Sequence, residues 1–134
     1  MSQMILGIGC DITGIARVEK LLDESGEKFL KRVFTKNEQD QALSRKEVGA
    51  FFAKRFSAKE ACIKALGTGL RQNIRWTDIE ITNTSQGKPE IHLYGPAQEV
   101  LNSITPKDTK AVIHVTLSDD MGLAQSFVVI STDS

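Results

Sequence analysis

The sequence has little cysteine, no excess of charge of either sign and no long apolar run. Its two cysteines, Cys10 and Cys62, lie far apart in the chain, so by themselves they form neither a disulfide framework nor a zinc site. A reduced, cytoplasmic compartment is expected. Lys plus Arg and Asp plus Glu number 17 each, which excludes a globally basic nucleic-acid binder. No apolar run reaches the roughly 18 residues of a membrane-spanning helix, and we expect neither a membrane nor a secreted protein.

What is present is the composition of an ordinary globular domain with an uneven charge distribution. With 134 residues, 40% of them hydrophobic, we expect one domain over residues 1–134. Residues 45–71 carry seven basic and two acidic side chains, whereas residues 108–134 carry four acidic and one basic. A basic middle segment favours an anionic ligand there, although such charge blocks also arise by chance on solvated surfaces.

Apolar periodicity and turn residues predict an α+β domain. We expect one mostly antiparallel sheet of about five strands, packed with a long central helix and several shorter helices, in the order βαααββαββ. Thr35 and Glu38 form a capping-box signature at the start of a helix, and Gly26 is expected to end the first helix. The predicted strands are residues 4–12, 76–82, 90–94, 111–117 and 123–130; the predicted helical segments are 15–26, 29–34, 36–47, 49–66 and 96–104.

The helix predicted over residues 49–66 has charged side chains beside its apolar stripe. Lys59 falls inside that stripe, and buried charges are costly unless they are partnered. Small residues cover the opposite face, so we expect another element to pack closely there. Glu60 and Lys64 lie four residues apart, which is also the spacing of a simple helix-surface ion pair.

Asp11 follows an apolar strand flanked by glycines, where backbone or ligand can approach closely. Together with Glu60 it could hold Mg²⁺, a hard cation that uses few protein carboxylates and completes its shell with water and phosphate oxygens. Asp11 could equally be a turn or cap residue. The segment Gly67-Thr68-Gly69 could offer backbone N–H groups to phosphate, although the C-terminal end of a helix disfavours anions. His92 and His114 lack the partners of a nucleophilic triad.

Two segments resemble a known enzyme family. Residues 7–18 (GIGCDITGIARV) and residues 55–69 (RFSAKEACIKALGTG) resemble the holo-[acyl-carrier-protein] synthases, the short class of 4′-phosphopantetheinyl transferases. Phe34-Thr35 with Glu38, residues 87–89 (GKP) and residues 114–118 (HVTLS) followed by Ala124 fall in the same order and spacing. The resemblance extends from about residue 4 to residue 130.

This resemblance implies a magnesium-dependent transfer of 4′-phosphopantetheine from coenzyme A to a serine of apo acyl carrier protein, as in fatty acid biosynthesis. Adenosine 3′,5′-bisphosphate would be released. The resemblance also implies a homotrimer in which each active site lies between two subunits and the C-terminal strands help to build the interface. Neither nucleic acid nor membrane is an expected partner.

The resemblance assigns roles to individual residues. Asp11 and Glu60 match metal ligands, and with Lys64 they form the implied catalytic set; Glu60, directly or through water, is the candidate base. The matches to coenzyme A contacts are Arg55, Lys64, Gly67 and Pro89. Arg17 matches a contact to the acidic carrier protein.

One position departs from the family pattern. Many relatives carry Ser-His where this chain has Ser118-Asp119, so the role of that histidine does not carry over. Asp119 is either a hydrogen-bond acceptor near the substrate or a turn residue that caps local N–H groups. The residues also allow two other functions for the whole chain. A non-catalytic coenzyme A or nucleotide-binding module is the alternative, whereas a magnesium nuclease is disfavoured by the zero net charge.

Overall fold

The computed structural model describes residues 3–67 and 73–133. In chain order the elements are β1 (Ile5–Gly14), α1 (Ile15–Val33), α2 (Lys36–Ala42), α3 (Val48–Leu66), β2 (Ile79–Asn83), β3 (Pro89–Leu93), α4 (Gly95–Ile104), β4 (Lys110–Asp120) and β5 (Leu123–Asp133). The predicted order βαααββαββ and the α+β class are confirmed. Among the described residues, no helix is both long enough and apolar enough to cross a membrane.

Several boundaries differ from the prediction. Helix α2 ends at Ala42 rather than at residue 47. Gly26 does not end the first helix: α1 continues to Val33 and bends at Ser25, whose φ and ψ are −133° and 23°. The segment from Trp76 to Asp78 is a short 3₁₀ helix rather than the start of a strand. Its Asp78 caps the turn, because its carboxylate accepts a hydrogen bond from the backbone N–H of Arg75 at 2.9 Å. Local capping therefore outweighed the alternating pattern.

The five strands form two antiparallel sheets rather than one. One sheet has the order β1-β5-β4, and the other pairs β2 with β3. Strands β3 and β4 contact each other without backbone hydrogen bonds. The hairpin between β4 and β5 turns at Met121 and Gly122, both at positive φ (52° and 77°), as a tight two-residue hairpin requires.

Helix α3 lies at the centre of the domain, and most of its residues are buried. Strand β1 packs directly on it, since a Cβ placed on Gly7 or Gly9 would overlap the carbonyl oxygen of Ala65 or Ala61. This confirms that another element packs against the small-residue face. At the other end of α3, Phe52 packs against Phe34 with ring centroids 4.6 Å apart. The helix thus carries its charged side chains between two apolar clusters.

Candidate active site

Asp11 lies near the end of β1 on the face that packs against α3. Its carboxylate accepts a hydrogen bond from the Thr13 hydroxyl at 2.7 Å, and its backbone carbonyl accepts one from Ser57 of α3 at 3.1 Å. The Asp11 side chain is only 13% exposed. These contacts make Asp11 part of a strand–helix junction, so the alternative that it is a turn or cap residue is wrong.

Lys64 connects α3 to this strand end. Its ammonium group donates a hydrogen bond to the Cys10 carbonyl at 3.0 Å and lies 3.4 Å from Asp11 Oδ1. Within the described part of the chain, the ion pair of Lys64 is therefore with Asp11. A simple helix-surface pair between Glu60 and Lys64 does not form.

Glu60 lies one turn before Lys64 on α3 and is half-buried. Burial raises the pKa of the Glu60 carboxyl, and the negative charge of Asp11 raises it further; Lys64 and Arg17 act in the opposite direction. A bound cation would favour the ionised form of Glu60 against both of these effects. Arg17 is exposed on the first turns of α1, and its positive charge also acts on the Glu60 carboxyl.

The donor set fits magnesium in kind and number. Carboxylate oxygens are hard ligands, and Mg²⁺ is commonly held by one or two protein carboxylates, with water and phosphate oxygens completing its shell. No cluster of three or more His, Cys, Asp or Glu side chains suited to a metal occurs in residues 3–67 and 73–133. Asp11 and Glu60 would thus leave most of the coordination shell to water and substrate.

Arg55 and Pro89 belong to a second place, a pocket of about 430 Å³ beside α3 and β4. Arg55 is 4% exposed, and its guanidinium group donates hydrogen bonds to Gln41 and Asn83. Its Nε is a buried donor with no partner among the described residues. Burial lowers the pKa of Arg55, and the charge of Glu38 partly offsets this. The wall of the pocket therefore includes a largely desolvated cation.

Gly67 ends α3 in the left-handed conformation with φ of 83°, which glycine adopts without strain. Its position, three residues after Lys64, sets it at the same end of the helix as the carboxylate pair. Thr68 and Gly69, the other members of the predicted phosphate-binding segment, lie outside the described residues.

The predicted site residues therefore form two groups. The carboxylate group contains Asp11, Glu60, Lys64 and Arg17, and the pocket group contains Arg55 and Pro89. In the described parts of the chain, no hydrogen bond or ion pair joins a residue of the carboxylate group to one of the pocket group.

Comparison with known proteins places the chain in a family. Residues 7–117 match the family model described as the 4′-phosphopantetheinyl transferase superfamily. The chain is 54% identical over 127 residues to the holo-[acyl-carrier-protein] synthase of Roseobacter denitrificans, covering 95% of each. The chain belongs to this superfamily. The predicted family and the prediction that the chain is an enzyme are both confirmed.

Solved structures of the same family agree with the fold. A Bacillus anthracis holo-(acyl-carrier-protein) synthase in complex with CoA (3′,5′-ADP) is 34% identical, with a TM-score of 0.78 and coverage of 97% of this chain and 99% of that one. A Helicobacter pylori holo-[acyl-carrier-protein] synthase in complex with coenzyme A is 30% identical, with a TM-score of 0.77 and coverage of 92% and 98%.

Sequence reasoning missed two charged pairs in this transferase. Lys59 and Glu38 form an ion pair of 2.8 Å with no exposed surface on either side chain; the signal was the lysine inside the apolar stripe. Lys54 and Asp119 form another, 3.0 Å long. Asp119 is the second-last residue of β4, ahead of the turn. Its interpretation as a turn residue is therefore wrong.

Proposed function

We propose that this chain transfers 4′-phosphopantetheine from coenzyme A to a serine of apo acyl carrier protein and releases adenosine 3′,5′-bisphosphate. The supporting observation is the meeting of Asp11, Glu60 and Lys64 at the junction of β1 and α3. The relatives named as holo-[acyl-carrier-protein] synthases, two of them crystallised with coenzyme A, agree with this assignment. Such a transfer serves fatty acid biosynthesis. The cytoplasm is the proposed location, favoured by the free cysteines Cys10 and Cys62.

Asp11 and Glu60 would hold Mg²⁺. The ion would compensate the repulsion between their two negative charges, which otherwise has no benefit for the fold. When bound, the ion would neutralise negative charge on the pyrophosphate of coenzyme A. Lys64 contributes a positive charge beside it, since its side chain is 55% exposed and its ammonium group can turn towards a phosphate oxygen. Gly67 leaves the end of α3 free of a side chain near the phosphates.

The chemistry of the transfer requires one proton to move. The serine oxygen forms a bond to the attacked phosphorus, and the bond from that phosphorus to the bridging oxygen breaks. The bridging oxygen leaves on adenosine 3′,5′-bisphosphate with the bonding electron pair. Glu60 accepts the serine proton, directly or through a water molecule. Coordination to a cation lowers the basicity of a carboxylate, which favours the route through water.

We also propose that the enzyme is a homotrimer with its active sites between subunits. A complete site needs the carboxylate group and a place for the nucleotide of coenzyme A, and we assign the nucleotide to the pocket at Arg55 and Pro89, here called the nucleotide pocket. The resemblance to the family implies that two subunits share each site. The outer face of the β1-β5-β4 sheet is apolar and uncovered: Ile8, Ile12 and Phe127 are 66%, 61% and 48% exposed. Covering this face with another copy would remove apolar surface from water.

One experiment tests the transfer directly. Apo acyl carrier protein is incubated with coenzyme A, magnesium and the enzyme, and its mass is measured. A gain of one phosphopantetheine supports the proposal, and the variant Asp11→Asn should not produce it. Coenzyme A that binds while the carrier mass stays unchanged would instead indicate a non-catalytic binding module.

A further inference from the structure

The nucleotide pocket is lined by four cations and an apolar floor. The cations are Arg45, Lys54, Arg55 and Lys88, and the floor includes Phe51, Pro89, Val115 and Leu117. A volume of about 430 Å³ with this lining suits a flat apolar group that carries more than one anionic substituent. A nucleoside with two phosphates has this chemistry.

The surroundings of Arg55 indicate that the pocket binds an anion with hydrogen-bond acceptor oxygens. Its guanidinium lies 4.5 Å from the centre of the Phe51 ring, and the guanidinium of Arg45 lies 5.1 Å from the same ring. Phe51 thus holds two guanidinium groups near each other, although like charges repel. Together with the unpartnered Nε of Arg55, this concentration of positive charge calls for an anion with several acceptor oxygens.

Lys54 differs from the arginines because its partner is a carboxylate from another element. Asp119 Oδ1 lies 3.0 Å from Lys54 Nζ, and both side chains are one-third exposed. Strand β4 passes the pocket at Leu117, and alternation along the strand brings Asp119 to the same face, towards α3. Asp120, the next residue, lies on the opposite face and is exposed.

The ion pair itself contributes little to stability, because water screens the attraction between partly exposed charges. Its effect on geometry is larger. A lysine side chain has four rotatable bonds, and ordering them on binding costs conformational entropy. Fixing the ammonium group before a ligand arrives removes this entropy cost from binding. Asp119 holds the ammonium while leaving two of its three N–H groups free for an anion.

We propose that Lys54 binds a phosphate group of the nucleotide and that Asp119 is its positioning residue. This inference rests on the proposed function and deepens it, since it makes Lys54 a determinant of selectivity for nucleotides that carry a second phosphate.

The test is calorimetric titration of the enzyme with adenosine 3′,5′-bisphosphate and, separately, with adenosine 5′-monophosphate. Lys54→Met should lower the affinity for the bisphosphate about tenfold, which corresponds to one charge-assisted hydrogen bond. The affinity for the monophosphate should change much less. Lys107→Met, a lysine in the α4–β4 loop, is the charge-matched control and should change neither. Equal weakening of both ligands, or none, would overturn the role of Lys54.

Asp119 is tested through its coupling to Lys54. Asp119→Asn should lower the affinity for the bisphosphate roughly threefold, whereas Asp119→Glu should keep most of the wild-type affinity. In the Lys54→Met background, Asp119→Asn should have no further effect. The matched control Asp120→Asn should bind as the wild type does. A tighter or unchanged affinity in Asp119→Asn, or the same loss in both backgrounds, would overturn the positioning role.

Different results would overturn the proposed function and the role of Lys54. A wild-type enzyme that binds no bisphosphate overturns the proposed function together with this inference. A wild-type enzyme that binds it, with Lys54→Met folded by circular dichroism and unchanged in affinity, overturns this inference alone. If Lys54→Met does not fold, Lys54→Gln provides the same comparison.

Discussion

The ammonium group of Lys59 lies 2.8 Å from a carboxylate oxygen of Glu38, and neither side chain has any exposed surface. The same ammonium donates to the backbone carbonyls of Trp76 and Ile79, and Glu38 accepts from the backbone N–H of Ile81. One buried pair therefore connects α2, α3 and the start of β2. Burial lowers the pKa of Lys59, and Glu38 acts against that shift.

Breaking this pair should destabilise the fold strongly. Lys59→Met leaves the Glu38 charge buried without its cation, and we expect a loss of about 3 kcal/mol or more in the free energy of unfolding, measured by urea denaturation. Glu38→Gln should restore part of this loss in the double variant, because the amide is neutral. Glu27→Gln is the control: its pair with Lys31 is exposed on both sides, and the unfolding midpoint should stay unchanged.

Glu60→Gln should raise the Tm in metal-free buffer. The variant removes a charge that burial and Asp11 both disfavour, while keeping the shape of the side chain. Magnesium should raise the Tm of the wild type, because a ligand that binds only the folded state stabilises it, and should leave the variant unchanged. Thermal denaturation with EDTA and with magnesium measures both effects; a magnesium response that survives in Glu60→Gln would remove Glu60 from the metal site.

Gly9→Ala should prevent close packing of β1 on α3. A Cβ at Gly9 would overlap the backbone carbonyl of Ala61, and backbone cannot move aside as a side chain can, so we expect a loss of about 2 kcal/mol or more by overpacking. Gly26→Ala is the matched control, since nothing lies within 4 Å of its Cβ position, and it should leave stability equal or higher. Equal stability of the two variants would contradict the close-packed junction.

Arg17→Glu should raise the KM for carrier protein and leave the KM for coenzyme A little changed. Arg17 is exposed on α1, where it can meet an acidic partner, and rim charges act mainly on encounter rates and salt dependence. The same reversal at Lys107, Lys107→Glu, controls for net charge. Equal increases in both KM values would show that Arg17 instead supports the active site.

Phe127→Lys should disrupt the trimer. Phe127 is 48% exposed on the outer face of the three-stranded sheet, and a buried lysine there would lack a partner. Light scattering after gel filtration should give about three times 14.8 kDa for the wild type and a smaller mass for the variant. Leu43→Lys, at a residue that is 86% exposed beyond α2, should keep the wild-type mass. A monomeric, fully active wild type would contradict the shared site.

Local signals in the sequence were enough to predict the order of the elements and several of their ends. Thr35 and Glu38 form the capping box at the start of α2, and Gly67 ends α3, because both features depend on residues a few positions apart. Asp11 and Glu60 were also predicted to lie near each other, and the negative charge of Asp11 does act on the Glu60 carboxyl. Their roles as metal ligands stay predictions.

Only the tertiary structure decided which partner each charge has. Lys64 pairs with Asp11 rather than with Glu60, and Lys54 pairs with Asp119, because strand register and helix packing bring together residues more than fifty positions apart. The same packing divided the strands between two sheets. Such contacts depend on the summed packing of the whole chain, which periodicity along a single segment does not contain.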